Sequence, residues 1–237
     1  MRASDFEFRY RFWIIGAIFW IGFTLYSVDQ VNAAAALANW LQPHTPWSAG
    51  AIVRAIFGFG ALLAIAAALL RTWAASFLRS DVVHDDSLHS ERLVADGPYR
   101  YVRNPLYLGT TLLTLGLGLM ASRLGYTVIF FGVLLVNLRL MAREESELNA
   151  SQGESYRRYL SIVPRLFPSF RPKLPRSGLR PQWGQAFFGE GFFWGFAAAA
   201  VVFAISLNIR YVWITLAISF ALYLWSYLVL KKKHQSA

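Results

Sequence analysis

Six stretches of this chain, at residues 12–28, 50–70, 105–120, 124–141, 187–207 and 211–230, are apolar over close to the length that crosses a bilayer. A hydrocarbon core about 30 Å thick takes roughly 20 helical residues. Only a helix or a closed barrel satisfies its own backbone polar groups in lipid. The pattern predicts an all-α fold, a polytopic transmembrane helical bundle of about six spans. Composition agrees, since 15% of the 237 residues are charged and 56% are hydrophobic, against about a quarter charged in soluble domains. The third and fourth segments are short, and Ala121-Ser122-Arg123 between them predicts a tight helical hairpin. Ala33–Leu41 reads as a surface helix or as part of a longer first hairpin. The first segment lacks a small-residue cleavage site and reads as a span rather than a signal peptide.

Sidedness follows from the cations. Three arginines precede the first span, five lie in 71–103, nine basic residues in 139–180, and Lys231, Lys232 and Lys233 in the tail. The other face carries only Arg54, Arg123 and Arg210. Twenty against three predicts an integral protein of the inner (cytoplasmic) membrane, with both termini and both long polar loops in the cytoplasm. The net charge of +10 is spread between apolar spans, so membrane lipids are the expected partner and nucleic acid is not. With no cysteine, thiolate chemistry and disulfides are excluded, and four scattered histidines predict no metal centre. Phe57-Gly58-Phe59-Gly60 and Leu115-Gly116-Leu117-Gly118 lie inside spans, where small residues serve close helix packing. Neither follows a strand, so neither is a dinucleotide fingerprint.

Chemistry concentrates where the third span begins, at Asp96-Gly97-Pro98-Tyr99-Arg100-Tyr101-Val102-Arg103-Asn104-Pro105-Leu106-Tyr107-Leu108-Gly109. Asn104-Pro105 predicts an N-cap followed by proline at the first helical position, which leaves free N–H groups and a positive dipole end on the cytoplasmic side. The hairpin returns the chain after arms of about 17 residues, roughly 25 Å each. Glu144 and Glu145 are therefore expected near Arg103, Asn104 and Tyr107. Carboxylates at a helix C-terminal end oppose its dipole, and ionisable groups beside hydrocarbon mark function. The plainer alternative is a solvated pair neutralised by Arg139 and Arg143. Beyond it, Gly153-Glu154-Ser155-Tyr156-Arg157-Arg158-Tyr159 and Val163-Pro164-Arg165 read as an amphipathic segment on the headgroups or as a lid over a cofactor. His84 and His89 read as surface-loop residues.

As a set, these residues resemble the integral membrane methyltransferase family that includes isoprenylcysteine carboxyl methyltransferases and phospholipid methyltransferases. The family pattern is carried here by Gly97-Pro98-Tyr99, Arg103-Asn104-Pro105-Leu106-Tyr107-Leu108-Gly109, Glu144-Glu145, Gly153 with Tyr156 and Tyr159, and Val163-Pro164-Arg165. Arg71-Thr72-Trp73-Ala74 is similar to the end of the family's preceding helix. The resemblance covers 58–170 and divides the chain into an N-terminal membrane region (1–57), a methyltransferase core (58–170) and a connector with a C-terminal hairpin (171–237).

The resemblance implies S-adenosylmethionine as cofactor and a lipophilic acceptor, lipidated or lipid, entering laterally from the bilayer. The implied cofactor-binding residues are Tyr99, Arg100, Asn104, Pro105, Tyr107, Gly109, Glu144 and Glu145. Glu144 or Glu145 would accept hydrogen bonds from the ammonium or the ribose hydroxyls. Arg100 or Arg103 would hold the cofactor's carboxylate, Tyr107 would donate or stack, and Tyr99 and Tyr101 would face the sulfonium. The implied catalytic residues are Arg103, Glu144 and Glu145. Arg103 would orient a carboxylate acceptor, whereas a lipid amine would need Glu144 or Glu145 to take its proton. The 84–89 loop is an alternative cover for the adenine. Two departures stand out: Asn104 replaces the His of the prenylcysteine branch, and Gln152 replaces a Phe. An NADPH-dependent sterol- or enone-type reductase and a non-enzymatic membrane scaffold are the competing classes, and the oligomeric state is open.

Overall fold

The structure, a computed structural model, describes residues 2–78 and 95–235. His84 and His89, read above as loop residues, lie outside the described residues. Nine α-helices form among the described residues: α1 Asp5–Arg9, α2 Arg11–Thr24, α3 Ala33–Leu41, α4 Ala49–Ala75, α5 Pro105–Gly118, α6 Arg123–Ile162, α7 Trp183–Gly189, α8 Gly191–Ser206 and α9 Ile209–Gln235.

The all-helical bundle is the fold that the length of the apolar segments predicts. Helix length supports three full crossings, by α4, α6 and α9, or four if α7 and α8 count as one span bent by 64°. The expected count of six does not follow from length. α5 has 14 residues, about 21 Å at ~1.5 Å per residue, and α2 is similarly short.

Side-chain caps set several helix starts. Ser48 Oγ accepts from Ala51 N at 3.3 Å and Ser122 Oγ accepts from Gly125 N at 3.1 Å. Asn32 does two jobs. Its Oδ1 caps α3 through Ala35 N at 3.0 Å, while its Nδ2 donates to the carbonyls of Leu119, Met120 and Ala121 at 3.1–3.2 Å. That closes the α5–α6 hairpin turn from outside, and Tyr26 Oη adds a bond to Met120 O at 2.9 Å. Ala33–Leu41 is thus a separate short helix that packs chiefly on α4, is tied to the hairpin turn through Asn32, and buries Ala34 and Ala38 fully.

The core is built from small residues. Ala61, Ala64, Ala67 and Ala68 of α4 meet Leu113 of α5 and Ala197 and Ala200 of α8. Such side chains let helix backbones approach closely in lipid. Gly60 and Gly116, one from each glycine repeat, bring α4 and α5 into backbone contact, for a Cβ on Gly60 would stand 2.9 Å from the Gly116 carbonyl oxygen. The packing reading of both repeats is borne out there.

α6 passes the end of the apolar region and breaks at Gly153, where φ is 57° and ψ is −123°. Glycine alone adopts such angles without strain. The break redirects the last turns, so that Tyr156, Tyr159 and Val163 pack against Ala95 and Leu174 rather than running on into solvent.

Candidate functional site

The redirected end of α6 folds back on the segment that precedes α5. Arg103 N donates to Pro164 O at 2.9 Å, and Tyr159 Oη donates to Tyr99 O at 2.9 Å. The 3-10 turn Gly97–Arg100 and the residues that lead from it into α5 are thereby held against the end of α6. Pro105 occupies the first turn of α5 as expected, but Asn104 makes no side-chain cap. With φ −120° and ψ 60°, its backbone does not turn the carboxamide back towards the helix. Its Nδ2 instead donates to Glu145 Oε1 at 3.0 Å and to Arg165 O at 3.1 Å. A hydrogen bond to a carboxylate is roughly twice as strong as one between neutral groups, which favours this partner over a cap.

The adjacent glutamates part company. Glu145 meets Arg165 Nε at 3.2 Å and Arg103 Nε at 3.7 Å, in addition to Asn104. Glu144 accepts from Tyr107 Oη at 2.7 Å. Neither glutamate pairs with the two arginines that the surface-pair alternative named. Arg139 is taken by Glu7 through two bonds of 2.8 Å, and Arg143 by Asp5 and Glu147, both at 2.7 Å. The Arg139 guanidinium, with the Ser4 amide, holds the Glu7 carboxyl down at about 2. These outer pairs tie α1 to α6 and leave the glutamates to the motif.

Two buried polar atoms lack a hydrogen-bond partner here: Arg103 Nε, which Glu145 reaches only as an ion pair at 3.7 Å, and Gln152 Oε1 farther along α6. Gln152 lies two helical turns after Glu145 and so on the same face of α6. An unsatisfied buried group costs about 1–3 kcal/mol, so an orphan donor at Glu145 and an orphan acceptor about 10 Å farther along the same helix face suit an extended ligand with both polarities. Gln152 was visible in the sequence only as a departure from the family pattern.

The connector covers the same region from above. Ser169 N donates to Tyr101 O at 2.9 Å, Lys173 N to Arg100 O at 2.8 Å, and Gln182 N to Ser76 O at 2.7 Å. Arg100 Nε donates to Leu174 O at 2.7 Å, so this arginine is turned to the connector rather than to the glutamates. Tyr101 packs on Trp73 with ring centroids 6.0 Å apart. Tyr99 is buried, and desolvation pushes its phenol well above the ordinary range, which keeps it protonated.

Asp96 pins the far end of the strap, accepting from Ser177 Oγ at 2.6 Å, Ser177 N at 2.9 Å and Leu179 N at 3.0 Å. Burial alone would raise its carboxyl, yet these bonds and the Arg100 charge bring it below its usual value. A depressed folded-state value adds stability above the unfolded carboxyl range, and that stability is lost as pH falls through the folded value. Asp96→Asn is expected to raise protease sensitivity of the 169–182 strap at pH 7, and the difference from wild type should shrink on acidification. Equal cleavage of both proteins at pH 7 would show that Asp96 does not hold the strap.

Gly109, on the first turns of α5, leaves room for the stem of Arg71, which a Cβ would strike. Among the described residues, no group of three or more His, Asp or Glu side chains is placed to hold a metal ion.

Residues 55–153 match the profile of the phospholipid methyltransferase family, which bears out the resemblance carried by the motifs. The chain is also similar to the cobalt-zinc-cadmium resistance protein CzcN of Cupriavidus metallidurans, 27% identical over 141 residues. That similarity covers 60% of this chain and 62% of the relative, so the chain spans less than two thirds of that protein's length. No solved structure matches the chain significantly.

Proposed function

We propose, on the premise that residues 55–153 carry a phospholipid-methyltransferase-type core, that this membrane protein transfers methyl groups from S-adenosylmethionine to a lipophilic acceptor at the cytoplasmic face. The observation that carries the reading is the Glu145 cluster, in which one carboxylate gathers Asn104, Arg103 and Arg165. S-adenosylmethionine would supply an electrophilic methyl group there, and its carboxylate, ammonium and hydroxyls match the donors and acceptors present. Arg103 Nε, held only by a 3.7 Å ion pair to Glu145, has its hydrogen bond left to give to a carboxylate, and Gln152 Oε1, two turns farther along α6, can accept from an N–H or O–H group. Glu145 already orients Asn104 and Arg165, so the polar wall is assembled before anything binds. Such preorganisation lowers the cost of alignment, which is the main demand of an in-line displacement.

Glu144 and Tyr107 serve the acceptor side. The Tyr107 hydroxyl, bonded to Glu144 at 2.7 Å, sits one helical turn inside α5. If the acceptor is an amine, the Glu144 carboxylate takes its proton; if it is a carboxylate, Glu144 has no proton to take. Glu144→Gln is therefore expected to lower kcat by about 100-fold or more on an amine acceptor, the usual scale for general-base loss, while S-adenosylhomocysteine binds as tightly as to wild type. Unchanged kcat on phosphatidylethanolamine would remove the base from Glu144.

The basic loops, twenty cations against three on the opposite end, support a cytoplasmic site in the inner membrane. The structure collects the N-terminus, the motif segment and the α6 break at one end of the bundle. The founding experiment is calorimetric titration of S-adenosylhomocysteine into purified protein, with NADPH as the competing ligand. Saturable binding of the first and none of the second supports methyl transfer, and the reverse supports the reductase class.

A further inference from the structure

The sequence leaves α7, α8 and α9 without a task, and all three lie outside the residues that match the family. The contacts between α8 and the core are not only apolar. Arg71, near the end of α4, donates from Nε to Glu190 Oε2 at 2.6 Å and from Nη2 to Glu190 Oε1 at 3.0 Å. Glu190 stands at the bend between α7 and α8, and the side chains are 17% and 9% exposed respectively. The opposite edge of the same guanidinium donates from Nη1 to Leu106 O and to Thr110 Oγ1, each at 3.0 Å. Its plane lies over the Phe193 ring, 3.9 Å from the centroid. One turn on in α8, Trp194 Nε1 donates to Thr72 Oγ1 at 3.0 Å.

The two edges of Arg71 do different things. Glu190 fixes the bidentate edge, and a fork with one edge fixed has its other edge aimed. That second edge grips the first turn of α5 at the carbonyl of Leu106, the neighbour of Tyr107. Gly109 makes the passage possible, because any Cβ there would occupy the path of the Arg71 stem. Tyr99, buried close by, feels the charges of Arg71, Glu144 and Glu190 together. The ion pair and the glutamate cluster are therefore electrostatic neighbours of one side chain.

We propose that Glu190 is a positioning residue for the candidate site, acting through Arg71 on the first turn of α5, so that the C-terminal helices complete the site rather than merely thicken the bundle. The proposal rests on the methyltransferase reading for its ligand but not for its geometry. Glu190 touches no reacting group; it decides where Leu106 and Tyr107 stand relative to Glu144. A buried pair such as this is weak evidence for stability, because an apolar pair of similar size often replaces it without loss. What the geometry of this pair does provide is placement, because it aims the other edge of Arg71 at α5.

The test separates placement from stability. Glu190→Gln, Glu190→Asp and the double variant Arg71→Met with Glu190→Leu are compared with wild type in detergent. Three quantities are measured: the melting temperature, hydrogen exchange of the 106–110 amides without ligand, and the affinity for S-adenosylhomocysteine. The expected result is faster exchange in 106–110 and at least tenfold weaker binding for Glu190→Gln, with most of both regained in Glu190→Asp. The apolar double variant should melt at or above the wild-type temperature and still show fast exchange and weak binding. Wild-type exchange and affinity in that variant would overturn the proposal by making the pair a replaceable structural contact. If wild type itself binds no S-adenosylhomocysteine, the methyltransferase reading falls. The exchange data then still decide the positioning claim, since unchanged exchange in Glu190→Gln rejects it and accelerated exchange sustains it.

Discussion

Glu145→Ala is expected to weaken S-adenosylhomocysteine binding by about 100-fold or more, the largest effect of any single substitution at the site. The carboxylate is the common partner of Asn104, Arg165 and Arg103, at 3.0, 3.2 and 3.7 Å. Removing it leaves two guanidinium groups facing each other across a hole, with the Arg103 side chain only 14% exposed. Breaking a buried pair from one side costs about 3–5 kcal/mol, and the partial exposure of Arg165 places this case near about 3. At 1.4 kcal/mol per decade that is roughly two orders of magnitude in affinity, if the collapse of the arginines is felt by the ligand. Glu147→Ala is the control, because Glu147 is half exposed and pairs with Arg143 one turn away; such pairs contribute about 0.3–0.5 kcal/mol. Calorimetry on both variants decides the matter, and equal affinities would remove Glu145 from the site.

Gly116→Val is expected to lower the stability of the bundle by about 3 kcal/mol, at the upper end of what overpacking costs. A Cβ on Gly116 would collide with the Gly60 carbonyl oxygen, and a Cβ on Gly60 would stand 2.9 Å from that of Gly116. Both neighbours are backbone, so no side chain can swing aside and the helices must separate. Because α4 and α5 also carry Arg71 and the Leu106 carbonyl towards the site end, separation should weaken ligand binding as well as melting. Gly58→Val tests the reasoning from the other side. Nothing lies within 4 Å of a Cβ at Gly58, so it should melt as wild type does. A thermal scan in which the two valine variants behave alike would show that the Gly60–Gly116 contact does not govern the crossing.

These expectations separate what could be read along the chain from what required three dimensions. The helices and the hairpin follow from hydrophobic length and from Ser122 as a cap. The meeting of Arg103 with Glu145 follows from counting hairpin arms, because a tight turn after α5 sends α6 back to the level at which α5 began. Pro105 at the start of α5 was legible as well, whereas the break of α6 at Gly153 was not, since a glycine in a polar segment does not announce a φ of 57°. The number of full crossings was less so, since an apolar stretch fixes what a segment tolerates around it rather than where its helix stops.

Partner choice was not legible at all. Asn104 has the composition of a cap, yet it serves Glu145 and Arg165 because a carboxylate across the hairpin outcompetes its own helix end. Arg139 and Arg143 stand next to the glutamates in sequence but point round the helix to Glu7, Asp5 and Glu147. Gln152 is a substitution in a motif until burial leaves its oxygen without a partner. Glu190, 119 residues from Arg71, has no local signal of any kind. By itself the sequence determined a helical membrane bundle, its charge asymmetry and the family-like motif, because those depend on hydrophobic length, residue period and chain order. Only the tertiary structure decided which carboxylate meets which cation, because hydrogen bonds and ion pairs are settled at the 3 Å scale, by helix rotation and backbone angle rather than by distance along the chain.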